Sequence, residues 1–395
     1  MDLVKARAQA RKASQSFLDR VDNWSQENLT KHVHPQDRAQ AFDPEVLAKL
    51  RETGLLSLEL DAFRAGDVPG RASLSVPADG MEGVAEAIRG LSRTDPAVAV
   101  LVHVHNALTV RCLLRFGTEA QKEHWLPRLA QDQIAAFAAT EPQAGSDLSR
   151  ITTELTEDPQ GGYRLNGEKY WITNASEAGV FLVLARLGKG TACVLVPATA
   201  PGVSVGPRLD KMSMRASSTC AVRYDAVHLT DDDILGGPNG GIDVAMYGLV
   251  CGRIGIAAQM LGLAEGALRK SVDYAQKREA FGSLILNHQG VAFPLAQIRA
   301  EIASVELTML AAARKLDTAR SYMSAMELAN IAKLLASQLA ERAAGLAVET
   351  LGGNGVAEGH AVEKLYRDAK VGKIYEGTVN VLLRAIAANL AGSAT

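Results

Sequence analysis

Apolar positions recur at helical spacing through the first third of the chain. They are clearest over Pro44-Glu45-Val46-Leu47-Ala48-Lys49-Leu50 and its continuation to 53, over 81–92 and over 96–116. From about 134 the period shortens. Tyr163–Thr173, Phe181–Ala185, Ala192–Val196 and Ala221–Val227 read as strands, and the Asn166-Gly167 pair inside the first reads as a hairpin turn. Gly236-Gly237-Pro238-Asn239-Gly240-Gly241 closes this region. Long alanine- and leucine-rich helices follow over Leu261–Ala275, Val291–Thr318 and Met326–Leu351 with bundle-type periodicity. The pattern predicts an α+β protein of three parts: helices over 1–133, a small β domain over 134–245 and a helical bundle over 246–395.

The remaining punctuation is local. Gly66–Gly80 reads as a loop rich in Gly, Pro and Ser. The basic, alanine-rich start from Val4 to Leu18 reads as a first surface helix. Near the end, Gly377 and Thr378 fall where a turn gives way to a last helix (Val379, Leu382, Leu383, Ile386, Leu390), with Thr378 as its N-cap. Glu376 therefore sits on a loop at a helix start.

Composition narrows the function classes. At 395 residues, with 47% hydrophobic and 22% charged residues, the chain has ample core. A net charge of −2 gives no support for nucleic-acid binding. No apolar run is read as reaching the roughly 20 residues of a membrane span. Cys112, Cys193, Cys220 and Cys251 are scattered, without CxxC or metal spacing, and read as reduced, buried thiols of a cytoplasmic protein.

Several separate motifs carry a resemblance. Tyr375-Glu376-Gly377-Thr378 follows Arg367-Asp368-Ala369-Lys370 and Leu351-Gly352-Gly353-Asn354-Gly355. Upstream lie Phe137-Ala138-Ala139-Thr140-Glu141-Pro142-Gln143-Ala144-Gly145-Ser146-Asp147, Tyr170-Trp171-Ile172-Thr173-Asn174, Gly252-Arg253-Ile254-Gly255 and Lys277-Arg278-Glu279-Ala280-Phe281-Gly282. Taken singly each is ordinary: a turn, a core tryptophan, a bundle salt bridge, a helix-end charge. Together, from about residue 40 onward, they resemble the FAD-dependent acyl-CoA dehydrogenase superfamily. The fold implied is an N-terminal helical domain, a middle small β-barrel and a C-terminal four-helix bundle.

The resemblance also implies roles. Glu376 is the base that removes a proton alpha to a thioester carbonyl, while FAD takes the beta hydrogen. Phe137, Ala139, Thr140, Gly145, Ser146, Trp171 and Thr173 line the flavin and its diphosphate. Arg278, Phe281, Gln289, Glu349, Gly352 and Gly353 meet FAD across a subunit interface, and Thr378 and Asn380 are assigned to the same cofactor. Ser146, His103, Arg253, Tyr375 and Gly377 are assigned to the substrate, and no metal is implied. Implied partners are an acyl-CoA or acyl-carrier-protein thioester, a separate electron-transferring flavoprotein, and copies of the same chain in a tetramer. Three departures qualify the pattern: Val250 stands where the family often has an aspartate, Glu349 where it often has glutamine, and the 66–80 loop is atypical. Val250 and the loop leave room for specialised biosynthetic metabolism. A flavin-dependent oxidase or monooxygenase of the same fold is the alternative, and Glu376 argues against it. A non-enzymatic helical scaffold would not keep both flavin motifs.

Overall fold

The computed structural model describes residues 17–60, 74 and 80–392. The expected first helix lies outside the described residues but for Phe17 and Leu18, and the 66–80 loop lies outside but for Leu74 and Gly80.

The N-terminal part is helical. Helix α1 covers 17–29, α2 Val33–Ala39, α3 Pro44–Glu52, α4 Gly80–Ser92, α5 Pro96–His103, α6 Arg111–Phe116 and α7 Glu119–Gln131. Asp43 and Asp95 cap α3 and α5 from the residue before a proline, whose missing N–H costs nothing at a helix start. Between α5 and α6 the helix widens into a π-helical stretch, Val104–Val110. Such widening recurs at functional sites, and no simple periodicity in the sequence announces it.

Eight strands form the middle part: β1 Ile134–Ala138, β2 Glu154–Glu157, β3 Tyr163–Thr173, β4 Ala178–Leu187, β5 Gly190–Pro197, β6 Val203–Val205, β7 Thr219–Leu229 and β8 Ile234–Leu235. The order is β6-β7-β3-β2-β4-β5-β8, with β1 parallel to the first half of β4. The Asn-Gly pair is not a hairpin turn. Tyr163–Thr173 is one strand, and Asn166-Gly167 lies within it at a register shift against β7, where Asn166 Oδ1 accepts the Ala226 N–H at 2.8 Å. At φ +144° and with Thr153 packed where a Cβ would stand, position 167 requires glycine for a bulge rather than a turn.

Helices return as α8 Gly241–Ala275, α9 Gln289–Thr318, α10 Met323–Leu351, α11 Val362–Val371 and α12 Val379–Gly392. Helix α8 begins well before its expected start, because residues 241–260 are buried on nearly every side and show no amphipathic period. Two helical stretches, Pro96–Phe116 and Gly241–Ala275, have the length and apolar character of a membrane span, contrary to the expectation that no such run exists. Their most apolar windows are 94% and 89% buried inside the fold, so both are core helices here. All four cysteines are free and buried.

One buried cluster ties the three parts together. The Lys364 ammonium donates to Asp95 at 2.9 Å and to Asp368 at 2.6 Å, and Asp368 accepts the Met214 N–H at 2.6 Å. The start of α5, the chain between β6 and β7, and α11 are thereby fixed relative to one another. That fixes the two ends of the site described next.

Candidate active site

Glu376 lies in the turn between α11 and α12 with φ 51°, a left-handed conformation uncommon outside glycine and frequent at functional positions. The turn is held from several sides. Thr378 Oγ1 accepts the Val381 N–H at 3.3 Å, the side-chain cap of α12. The Gly377 carbonyl accepts from the Lys333 ammonium at 2.5 Å. Tyr375 OH donates to Gln259 Oε1, and Gln259 Nε2 donates in turn to the Pro96 carbonyl at 2.7 Å. No acceptor among the described residues takes the Glu376 N–H.

The Glu376 side chain is 12% exposed, and Oε1 lies 2.6 Å from Nε2 of the fully buried His103. Oε2 of Glu376 and Nδ1 of His103 are buried without a partner among the described residues. Room for the pair comes from Gly252 and Gly255 on α8. A Cβ at the first would overlap Oε2, and at the second Nδ1. Arg253 is buried beside them, bonded to Asn330 Oδ1 at 2.8 Å, and its field and that of Lys333 reach Glu376. Burial lowers Lys333 to about 8, although Glu376 pulls the other way; Arg253 lowers it further. Arg253 is thus no bundle-surface ion pair. Val250 is fully buried and offers no polar group.

Next to the carboxylate lies an apolar surface. Val100, Val104 and Leu108 are buried together, with the Phe137 and Tyr375 rings packed on them. The structure therefore brings Phe137, Tyr375, Glu376, Gly377, His103 and Arg253 into one region. His103 is committed to Glu376, whereas His105 and Asn106 beside it are structural. His105 Nε2 donates to the Leu56 carbonyl at 2.8 Å and its Nδ1 accepts the Ala135 N–H at 3.0 Å, while Asn106 Nδ2 donates to Leu55 and Val102 carbonyls, each at 2.9 Å. Burial lowers His105 to about 4, so it stays neutral.

The residues assigned to the flavin fall into three groups. In the first, the Thr140 carbonyl accepts the Tyr170 N–H at 2.8 Å, joining the two middle-domain motifs. Trp171 occupies a second bulge of β3, with φ 63° and 57% exposure, so it is a presented indole rather than core. Thr173 ends β3 half-buried, and Gly145 and Ser146 are exposed in the segment between β1 and β2. In the second group, Arg278, Glu349, Gly352 and Gly353 line a cleft of ≈ 410 Å³, where a Cβ on either glycine would meet nothing of this chain. Arg278 and Glu349 share the cleft without forming an ion pair. Phe281, nearby in sequence, is 97% exposed with φ 52°. Gln289, exposed at the start of α9, is not among the residues lining that cleft. The third group is Thr378 and Asn380 in a smaller cleft of ≈ 300 Å³ with Gln338 and Lys373. Exposed aromatic faces, a guanidinium and open glycine backbone suit a flat aromatic ring carrying a diphosphate. The Arg278 and Thr378 clefts share no lining residue.

Sequence reasoning missed Lys333, Asn330, Gln259 and the Glu141–Lys169 pair. Lys333 had a readable signal: it lies on the buried alanine face of α10 with Ala329, Ala332, Ala336 and Ala340. Lys169 is likewise an inward position of β3. Its ammonium lies 2.8 Å from Glu141 and 2.9 Å from the Ala139 carbonyl, so it braces the Phe137–Asp147 stretch from behind.

Residues 11–133, 136–227 and 239–391 match the N-terminal, middle and C-terminal domains of acyl-CoA dehydrogenase. The chain is similar to a probable short/branched chain specific acyl-CoA dehydrogenase of Dictyostelium discoideum, 36% identical over 93% of this chain and 87% of that protein. In three dimensions it is similar to butyryl-CoA dehydrogenase from Megasphaera elsdenii, with TM-score 0.88, 32% identity, and coverage of 95% of this chain and 97% of that one. It is also similar to a glutaryl-CoA dehydrogenase of Mycobacterium smegmatis in complex with FADH2, with TM-score 0.87, 27% identity and coverage of 96% and 95%. The prolyl acyl carrier protein oxidase AnaB is a further neighbour, with TM-score 0.87, 26% identity and coverage of 96% and 98%.

Proposed function

This chain belongs to the acyl-CoA dehydrogenase family, and on that premise we propose that it desaturates a short or short, branched acyl thioester to the trans-2-enoyl product with Glu376 as base. It is an FAD-dependent oxidoreductase acting on CH–CH groups. The observation that carries the base assignment is Glu376 itself. It is a nearly buried carboxylate with one bonded and one unbonded oxygen, beside an apolar surface that an acyl chain can cover. A carboxylate in a water-poor pocket is an effective general base, since little solvent has to be stripped from it as the proton moves.

The chain's own residues account for the rest of the α-proton step. Tyr375, Val100, Val104, Leu108 and Phe137 supply the apolar wall and exclude water from the carboxylate. The relatives' short-chain names and this compact wall favour a short acyl group. Lys333 and the α12 cap hold the Gly377 turn, which keeps the Glu376 N–H free to donate to the thioester carbonyl as negative charge develops there. Arg253 and Lys333 keep positive charge near Glu376. When bound, FAD supplies the two-electron acceptor for the beta hydrogen. Trp171, Thr140, Thr173, Arg278, Gly352 and Gly353 would hold it, and the exposed Phe281 and the open glycine backbone of the Arg278 cleft favour a site shared between copies of the chain, in a tetramer. A separate flavoprotein would then take the electrons.

The test is anaerobic. The purified protein should be yellow and bleach with butyryl-CoA under nitrogen, whereas Glu376→Gln should stay yellow. Fast reoxidation of the bleached protein by air would favour the oxidase reading instead. A flavin-loaded protein that no acyl-CoA or carrier-protein thioester bleaches would overturn the proposal.

A further inference from the structure

His103 does something to Glu376 that the substrate assignment does not describe. Both nitrogens of the neighbouring His105 are satisfied by backbone groups, whereas His103 has one bond, from Nε2 to Glu376 Oε1 at 2.6 Å. An ionised carboxylate only accepts, so the shared proton resides on Nε2. Nδ1 is then the bare nitrogen. It lies against α8 where a Cβ at Gly255 would overlap it, with no acceptor, so a second proton there would leave a buried N–H unpaired. Nε2 is therefore the donor to one oxygen. Glu376 Oε1 is occupied, and Oε2 is buried with no partner.

We propose that His103 is a positioning residue that ties down Glu376 Oε1 and so holds the carboxylate in the orientation from which it takes the alpha proton. This rests on the reading of Glu376 as the base. The balance is simple. The substrate C–H bond breaks, its electron pair stays on the thioester as the enolate, the proton goes to the Glu376 carboxylate, and the His103 proton never leaves Nε2. With Oε1 free instead, the carboxylate samples orientations in which neither oxygen faces the alpha carbon. Cost is then expected in the chemical step and not in substrate binding.

Three variants of the FAD-loaded enzyme test it. His103→Leu removes the donor. His103→Asn keeps a polar side chain but places its amide near Nδ1, too short for Oε1. His103→Gln can carry an N–H to Oε1. With butyryl-CoA, Leu and Asn should lower kcat on the order of 10- to 100-fold, the size of a lost hydrogen bond to a charged group. KM, flavin content and Tm should stay near parental values, and Gln should restore most of the rate. Deuteration at the alpha carbon should slow flavin bleaching more in Leu and Asn than in the parent, because abstraction has become the slower step. Parental kcat in either variant overturns the inference. So does a loss that Gln fails to restore and that tracks lowered Tm or flavin content, which is the mark of packing alone. Should Leu fail to fold, Asn against Gln decides. Parental bleaching by Glu376→Gln would instead sink the reading beneath the inference, whatever the His103 variants do.

Discussion

Glu141 and Glu376 are both nearly buried carboxylates with a buried lysine close by, and they are built for opposite ends. Glu141, at the middle-domain end of the flavin motif, accepts from five donors. Oε1 takes Lys169 and the Thr153 N–H, and Oε2 takes the Thr152 N–H, the Thr152 hydroxyl and Gln143. Burial opposes its ionisation, but Lys169 and the threonine donors overcome this and hold it at about 2. Among the described residues Glu376 accepts from His103 alone and keeps one oxygen without a partner. A saturated carboxylate has no lone pair to spare and acts as a girder. An undersaturated one keeps basicity that a proton can claim. Lys169 is spent on Glu141 and the Ala139 carbonyl, while Lys333 contacts the Gly377 carbonyl and acts on Glu376 only through its field.

Exchanging acid for amide at each site should separate the two roles. Glu376→Gln is expected to lower turnover by about 10²–10⁴ with Tm within a few degrees of the parent, read by anaerobic flavin bleaching alongside thermal melts. A variant that reduced its flavin at the parental rate would end the assignment. Glu141→Gln should do the reverse, costing about 3–5 kcal/mol in denaturant unfolding because the Lys169 charge is left buried without its partner. Its turnover per bound flavin should fall far less than that of Glu376→Gln. Adding Lys169→Met should recover part of the lost stability, and a strictly additive double variant would contradict the pairing.

Titration sharpens the contrast. The folded Glu141 holds its proton more weakly than the unfolded group, so its contribution is present above about 4.5 and lost as pH falls towards 2. Lys333 has the opposite profile. Its ammonium is penalised in the folded state below about 8, and the penalty, on the order of 3 kcal/mol, fades as pH rises from there towards the ordinary 10.5. Lys333→Met should therefore be most stabilising, relative to the parent, at neutral pH, and the gap should narrow between pH 8 and 10. A pH-independent gap would mean that Lys333 is not held at a lowered pKa.

The smallest effect is expected at the cleft. Glu349 lines it with Arg278 but does not pair with it, so a dinucleotide there meets a guanidinium and a free carboxylate together. Glu349→Gln should bind FAD at least as tightly as the parent, by a few-fold, whereas Arg278→Ala should release it more readily. Flavin retention on dilution measures both, and looser binding in Glu349→Gln would show that the carboxylate helps.

Much of the architecture was legible because helix and strand periods differ and because glycine and proline mark their ends. The β region between two helical regions, the capped start of α12 and the loop carrying Glu376 all follow from local pattern. Motif chemistry drew attention to Trp171, Arg278 and Gly352. Local rules failed where partners come from far along the chain. Asn166-Gly167 has the composition of a turn, but Thr153 and Ala226 make it a bulge in an unbroken strand. The first half of α8 lacks an amphipathic period because it is buried on nearly all sides. His103 and His105 are equivalent in sequence, two residues apart on one apolar stretch. Only the fold assigns them. The π-helical widening, Gly252 and Gly255, and the Asp95–Lys364–Asp368 cluster bring residue 103 against residue 376, while Leu56 and Ala135 close on residue 105. A side chain's type fixes what it can donate or accept, and the long-range packing decides which of those bonds it is given.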